Sequence, residues 1–285
     1  MTVTVNAYAK VNLSLDITGK RADGYHTLRS VMQSVSLMDT ISVRSMAGGL
    51  KLLCSEGSIC GEANLAFKAA ERFFKAAGIT PDAEITIKKG IPLAAGLGGG
   101  SVDAAAVLGV LNEGWESPLS DEELMEIALS LGADVPFCFK GGTKLAEGIG
   151  EVLTPLENLP DCLILIAKKG TKSSTGDMYR ALDLKQNKKT SDIEVIKSGL
   201  KCGDVKATVK GFYNCFETVC GNESLEVKEK MYESGALYAG LSGAGPSVFG
   251  IFETEEKRQN AATVLKSFGC ETFCCRPVKK GFEIV

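Results

Sequence analysis

Histidine is almost missing from this chain: His26 is the only one among 285 residues. Metal sites built on several histidines are excluded, and a mechanism of the Ser-His-Asp or Cys-His kind would have to pass through that one ring. Positive charge is not in surplus either. Lys and Arg number 32 against 35 Asp and Glu, and the net charge of -3 argues against nucleic acid as the main partner. Long apolar runs are lacking. The stretch from Leu163 to Ala167 falls far short of the roughly 20 residues that span a bilayer, so no membrane partner is expected. The opening MTVTVNAYAK alternates as a strand does, without the basic-then-apolar layout of a signal peptide, which points to a soluble, cytoplasmic protein. Ten cysteines are scattered with no C-x-x-C pair, so free thiols acting as small buried hydrophobes are expected.

Against these absences stands one concentrated presence. Residues 91–108, IPLAAGLGGGSVDAAAVL, join a run of glycines directly to an apolar helix. Gly96, Gly98, Gly99 and Gly100 let the backbone turn sharply and bring successive N–H groups against a bulky anion. Ser101 reads as the N-cap and Asp103 as a first-turn carboxylate. Unpaired amides and the positive end of the helix dipole point the same way, so the segment predicts a phosphate site. It is neither of the two common ones. Counting from Gly96, the sixth position is Ser101 where a dinucleotide fingerprint needs glycine, and no lysine lies between Lys89 and Lys140 to complete a Walker A loop. A plain strand-to-helix turn with small residues stays open beside the phosphate reading.

The length favours two domains sharing a cleft, and 45% hydrophobic residues suffice for a sizeable core. Strands are expected at 3–7, 11–17, 41–44, 50–54 and 84–88, and helices at 63–77 and, behind a Ser120/Glu123 capping box, up to Leu131. Pro155 and Pro160 bracket a polar connection that marks the boundary. Beyond it, strands are expected at 163–167, 247–252 and 271–277. Helices are expected at 177–182, 193–200, 225–233 and 255–268.

Five segments then have to be read together: AYAKVNLSLDI (7–17), KRADGYHTL (20–28), PLAAGLGGGSVDAA (92–105), LGADVPF (131–137) and LSGAGPSVFGIF (241–252). Together they resemble the GHMP small-molecule kinases essentially end to end. Arg21-Ala-Asp-Gly-Tyr-His26 points, within that family, to the branch acting on a cytidylated polyol. The resemblance implies an α+β fold of two domains: an N-terminal nucleotide-binding α/β domain over 1–155 and a C-terminal, ferredoxin-like domain over 156–285, with the active site in the cleft between them. It also implies ATP as phosphoryl donor, accompanied by Mg2+. The acceptor would be the 2-hydroxyl of 4-diphosphocytidyl-2-C-methyl-D-erythritol, in the non-mevalonate route to isoprenoid precursors, and the enzyme a monomer or homodimer.

The same resemblance assigns roles. Asp134 is the general base and Lys10 the cation that keeps it ionised and offsets charge on the transferring group. Pro92, Leu93, Ala94, Ala95, Gly96, Leu97, Gly98, Gly99, Gly100, Ser101 and Val102 surround the ATP phosphates, with Asn64, Leu65 and Lys89 near the adenosine. Tyr25 and Tyr179 sandwich the cytosine, His26 reads its edge, and Asn12 and Thr175 are further substrate contacts. Gly243, Ala244 and Gly245 flank the site from the second domain. Many GHMP kinases carry two serines where Gly99 and Gly100 stand, and a second Ser or Thr commonly follows Ser101 where this chain has Val102, so metal ligands are left unassigned. On residue chemistry alone, Lys10 and Asp134 also fit a structural ion pair, Tyr179 a helix-core residue, and Gly243 to Gly245 a simple turn. A homoserine, mevalonate or sugar kinase of the same family, or a non-catalytic sensor on its scaffold, are the alternatives.

Overall fold

Alternation of apolar and polar residues from the start of the chain builds two long strands that form the spine of the molecule. In the computed structural model, which describes residues 2–46, 48–116, 118–171, 174–185 and 189–285, β1 (Thr2–Lys20) and β2 (His26–Arg44) pair antiparallel along most of their length. A turn at Asp23-Gly24 joins them: Gly24 adopts φ +89° and the Arg21 amide donates to Tyr25 O at 2.7 Å. The sequence pattern splits β1 at Lys10 and shows only 41–44 of β2. The structure runs both strands through, because β1 is covered on both faces. Val5, Ala7, Ala9, Val11 and Leu13 belong to the apolar core, while Lys10, Asn12, Ser14 and Asp16 are buried as well. Register shifts at Tyr8/Lys10 and Asn12/Ser14 bend the ladder there.

Next come β3 (Gly49–Cys54), α1 (Leu65–Ala77), β4 (Asp82–Lys88), α2 (Gly99–Gly114), α3 (Asp121–Leu131), α4 (Val135–Lys140), β5 (Thr143–Glu147) and β6 (Val152–Pro155). α1 buries Ala66, Ala69, Ala70, Phe73 and Phe74, with an Asn64 side-chain cap at its start and Gly78 at φ +66° to end it. Burying one such phenyl ring contributes about 2–3 kcal/mol. The capping box of Ser120 and Glu123 opens α3. α2 departs from expectation: its N-cap is Gly98, at φ +75°, so Ser101 lies inside the first turn. The loop arrives in a left-handed conformation that only glycine takes readily, which moves the helix start forward.

The second half holds β7 (Leu163–Lys168), α5 (Thr175–Asp183), α6 (Ile193–Lys201), α7 (Val205–Thr208), α8 (Asn222–Glu233), β8 (Tyr238–Leu241), β9 (Val248–Phe252), α9 (Glu255–Ser267), β10 (Glu271–Cys275) and β11 (Phe282–Ile284). One sheet has the order β11-β1-β2-β4-β3, with β5 and β6 continuing from β2. The other has the order β10-β7-β9-β8. The second sheet's neighbours are all antiparallel and its chain order is 4-1-3-2, the split β-α-β arrangement of a ferredoxin-like domain. The chain crosses from one sheet to the other after Pro155, but β11 returns to pair with β1. Ile164, Ile166, Phe249 and Ile251 of the second sheet join the first sheet's core, so the two halves share one apolar interior. Cys138, Cys162, Cys215, Cys270 and Cys275 are buried thiols as expected, whereas Cys60, Cys202 and Cys274 are exposed. Among the described residues no helix is long and apolar enough to cross a membrane.

Candidate active site

The glycine loop is held by its carbonyls. The Lys10 amide donates to Leu97 O at 3.0 Å, Ser242 Oγ to Gly96 O at 3.0 Å, and the Ser247 amide to Ala95 O at 3.4 Å. The first bond of α2 runs from the Val102 amide to Gly98 O, so the amides of Gly99, Gly100 and Ser101 sit at the helix start without intrahelical acceptors. Ala94 is held at φ +50°, a strained conformation for a residue with a side chain. A Cβ on Gly96 would lie 2.4 Å from Ser242 O, so the loop and the second domain's glycine segment press together with no room for a side chain. This is a cradle of N–H groups at a helix N-terminus, suited to a polyphosphate.

Beneath the loop lies the pair that the sequence singles out. Lys10 is buried on β1, and its Nζ stands 3.3 Å from Asp134 Oδ2. The same ammonium donates to Asn12 Oδ1 at 2.7 Å; Asn12 Nδ2 donates to Ser30 Oγ, and Ser30 Oγ to Ser14 O. Lys10 is thereby fixed from behind. Asp134 occupies the N-cap position of α4 but makes no cap bond, which leaves its carboxylate, 35% exposed, free to face a cavity. Gly98 completes the arrangement, since a Cβ there would come within 3.0 Å of Lys10 Cγ.

That cavity, of about 320 Å3, is walled by Lys10, Asn12, Gly96, Gly98, Ser101, Asp134, Thr175, Tyr179, Phe216, Gly243 and Ala244, among others. Among the described residues, Asp134 is the only carboxylate in its wall. A second hollow, of about 520 Å3, shares Ala133, Ile149 and Tyr179 with it and is lined further by Lys20, Tyr25, His26, Arg180 and Asp183. His26 stacks on Tyr179 with centroids 4.7 Å apart, and its Nε2 is 2.6 Å from Asp183 Oδ1, whose other oxygen takes Lys20 Nζ. Tyr179 meets Phe216 edge-on, and burial together with the charge of Asp134 pushes its phenol up to about 12. Tyr25 is 63% exposed at the rim. The imidazole covers one side of Tyr179. Of the SSTGDMY segment, residue 173 lies outside the described residues.

Three residues expected near the adenosine have structural engagements. Asn64 caps α1, its Oδ1 accepting from the Ala66 amide while Nδ2 donates to Ile59 O. Leu65 abuts the loop, where a Cβ on Gly100 would lie 3.4 Å from Leu65 Cδ1. Lys89 is turned inward, its ammonium bonded to Asp39 and, at 2.6 Å, to Asp103. Sequence reasoning missed Asp39, Asp183, Ser30 and Phe216. A carboxylate inside the apolar run of β2 is the signal that marks Asp39.

The fold and this cleft define a small-molecule kinase of the GHMP type. Family models for the GHMP kinases N terminal domain and the GHMP kinases C terminal match residues 64–142 and 218–269. A 4-diphosphocytidyl-2-C-methyl-D-erythritol kinase of Caldicellulosiruptor bescii is 43% identical over 269 residues, covering 93% of this chain and 94% of its own. That of Pelotomaculum thermopropionicum is 44% identical over 268 residues, covering 92% and 93%. A crystal structure of 4-(cytidine 5'-diphospho)-2C-methyl-D-erythritol kinase superposes with a TM-score of 0.83 at 32% identity, covering 96% of this chain and 98% of that one. The chain belongs to the 4-diphosphocytidyl-2-C-methyl-D-erythritol kinase family. A homoserine kinase from Cytophaga hutchinsonii, 18% identical with a TM-score of 0.77 over all of this chain and 97% of its own, shares the fold.

Proposed function

We propose that this protein transfers the γ-phosphoryl group of ATP to the 2-hydroxyl of 4-diphosphocytidyl-2-C-methyl-D-erythritol, giving ADP and the 2-phosphate, in the non-mevalonate route to isoprenoid precursors. The observation that carries this reading is the Lys10–Asp134 pair at 3.3 Å, placed between the amide cradle and the hollow bearing Tyr25, His26 and Tyr179. Asp134 accepts the hydroxyl proton while the oxygen attacks the γ-phosphorus. The bond from that phosphorus to the β,γ-bridging oxygen breaks, and ADP leaves. Lys10 offsets charge on the transferring group, and the loop amides hold the phosphates in line. No cluster of three or more His, Cys, Asp or Glu is poised for a metal among the described residues, and Mg2+ would enter together with ATP. When bound, that ion neutralises phosphate charge.

The cytosine is read as entering between Tyr25 and the His26–Tyr179 stack, with Thr175 and Asn12 nearer the reacting hydroxyl. The test is ADP release from ATP with the cytidylated polyol, set beside homoserine, mevalonate and galactose. Turnover with one of the three others and none with the first overturns the proposal. Loss of one aromatic base contact costs about 1–3 kcal/mol. Tyr25→Ala is therefore expected to raise the KM for the cytidylated acceptor roughly tenfold while leaving the KM for ATP unchanged, and the reverse pattern would count against this pocket.

A further inference from the structure

Against the first turn of α2, a second lysine is enclosed by two carboxylates that the catalytic reading does not use. Lys89 follows β4, Asp39 lies in β2 and Asp103 in α2, and their side chains are 4%, 0% and 1% exposed. Asp39 Oδ1 accepts the amides of Gly90 and Ile91 at 2.7 and 2.8 Å, and its Oδ2 takes Lys89 Nζ. Lys89 Nζ also donates to Asp103 Oδ2 at 2.6 Å, while Asp103 Oδ1 is buried with no hydrogen-bond partner. A Cβ added to Gly99 would lie 3.5 Å from Lys89 Nζ, so the ammonium sits directly against the first turn of α2. The three side chains tie β2, the end of β4 and the phosphate helix to one point.

The charges do not balance. Two ionised carboxylates on one ammonium leave a net negative charge, out of water and next to a helix start suited to an anion. That charge would oppose a triphosphate bound on the same turn. A proton shared by the carboxylates removes the conflict, and the Asp103 oxygen without a partner is the atom that suffers least from being neutral. We infer that Asp103 is a positioning residue for phosphate binding, which holds the loop in its ATP-accepting form while protonated and weakens ATP when it ionises. The inference rests on the reading of this loop as the ATP site.

The surroundings favour the proton. Burial, then the neighbouring Asp39, push the Asp103 carboxyl up from 3.8 to about 8, against the pull of Lys89. Burial draws the Lys89 ammonium down, but the two carboxylates outweigh it and hold it above its ordinary value. Cys54 at the end of β3 and Cys138 of α4 also feel Asp103, and burial raises both thiols, so they stay neutral near pH 8. With a folded value above the ordinary one, Asp103 holds its proton below about pH 8 and adds a negative charge as the pH rises through that value. The weakening is expected at alkaline pH and not at acid pH.

Calorimetric titration of ATP with Mg2+ into the full-length protein at pH 7 and pH 9 tests this, since the γ-phosphate of ATP is already ionised over most of that range. The dissociation constant of the wild type is expected to rise on the order of tenfold, the size of one added charge several ångströms from the phosphates. That of Asp103→Asn, which cannot ionise, is expected to change less than twofold. Lys89→Arg keeps the cation and is expected to retain the wild-type pH dependence even if its stability falls. An Asp103→Asn profile parallel to the wild type's, or a flat wild-type profile, overturns the inference while leaving the nucleotide reading intact. Failure of the wild type to bind ATP at either pH overturns both.

Discussion

Two lysines approach the glycine loop at adjacent glycines, and they differ in what their partners can reach. Lys10 lies under Gly98 and pairs with Asp134, a carboxylate that opens onto a cavity; Lys89 lies under Gly99 and pairs with Asp39 and Asp103, both sealed from solvent. By sequence the two are alike, each a lysine in or beside an apolar strand. Enclosure separates them. A buried ammonium takes part in chemistry only if its partner meets the substrate, and a fully enclosed one works through the backbone it braces.

The sharpest break of this comparison is expected in turnover. Asp134→Asn removes the proposed proton acceptor without changing its shape, and loss of a general base typically costs about 10^2- to 10^4-fold in kcat. ATP affinity, read by calorimetry, is expected to stay within about threefold of the wild type. A variant with near wild-type kcat would remove Asp134 from the mechanism and reduce Lys10 to a structural partner.

Stability is expected to reverse the order. Lys89→Met leaves the one carboxylate charge of the cluster buried without its cation, a change that costs about 3–5 kcal/mol where both partners are enclosed. Lys10→Met leaves Asp134 with access to water, so its loss of stability should be clearly smaller although its loss of turnover is greater. Denaturant titration and kcat on the same two variants test the contrast. Equal losses of stability would show that enclosure does not distinguish them.

Much of this was legible in the chain because it rests on local rules. The glycine run, the Ser120 capping box and the helical pattern of α1 all obey spacings of a few residues. What stayed hidden depends on separation in the chain. β2 did not read as one strand because its residues 30–33 and 40–44 pair with different neighbours, β5 and β4. The inward turn of Lys89 could not be read because Asp39 lies 50 residues away and Asp103 reaches it only once α2 has started at Gly98. Asp183, 157 residues from His26, fixes the imidazole for the same kind of reason. The likeness to a known family pointed to Lys10 and Asp134, which lie 124 positions apart (134 minus 10) and would otherwise read as two unrelated charges.

The finest discrimination comes from the glycines over the two lysines. Gly98 has φ +75°, and a Cβ there would stand 3.0 Å from Lys10 Cγ, so Gly98→Ala combines left-handed strain with displacement of the Lys10 side chain. A cost of about 1–3 kcal/mol in stability is expected, with a fall in kcat. Gly99 is the first residue of α2, in helical conformation, and a Cβ would meet Ile91 Cγ2 at 3.3 Å and Lys89 Nζ at 3.5 Å. Alanine is the better helix former there by about 0.5–1 kcal/mol, which offsets the few tenths of an ångström that Ile91 must yield. Gly99→Ala is therefore expected within about 1 kcal/mol of the wild type by thermal unfolding. If the two alanines prove equally harmful, the loop tolerates no added carbon anywhere, and the distinction between the open lysine and the enclosed one does not extend to the backbone above them.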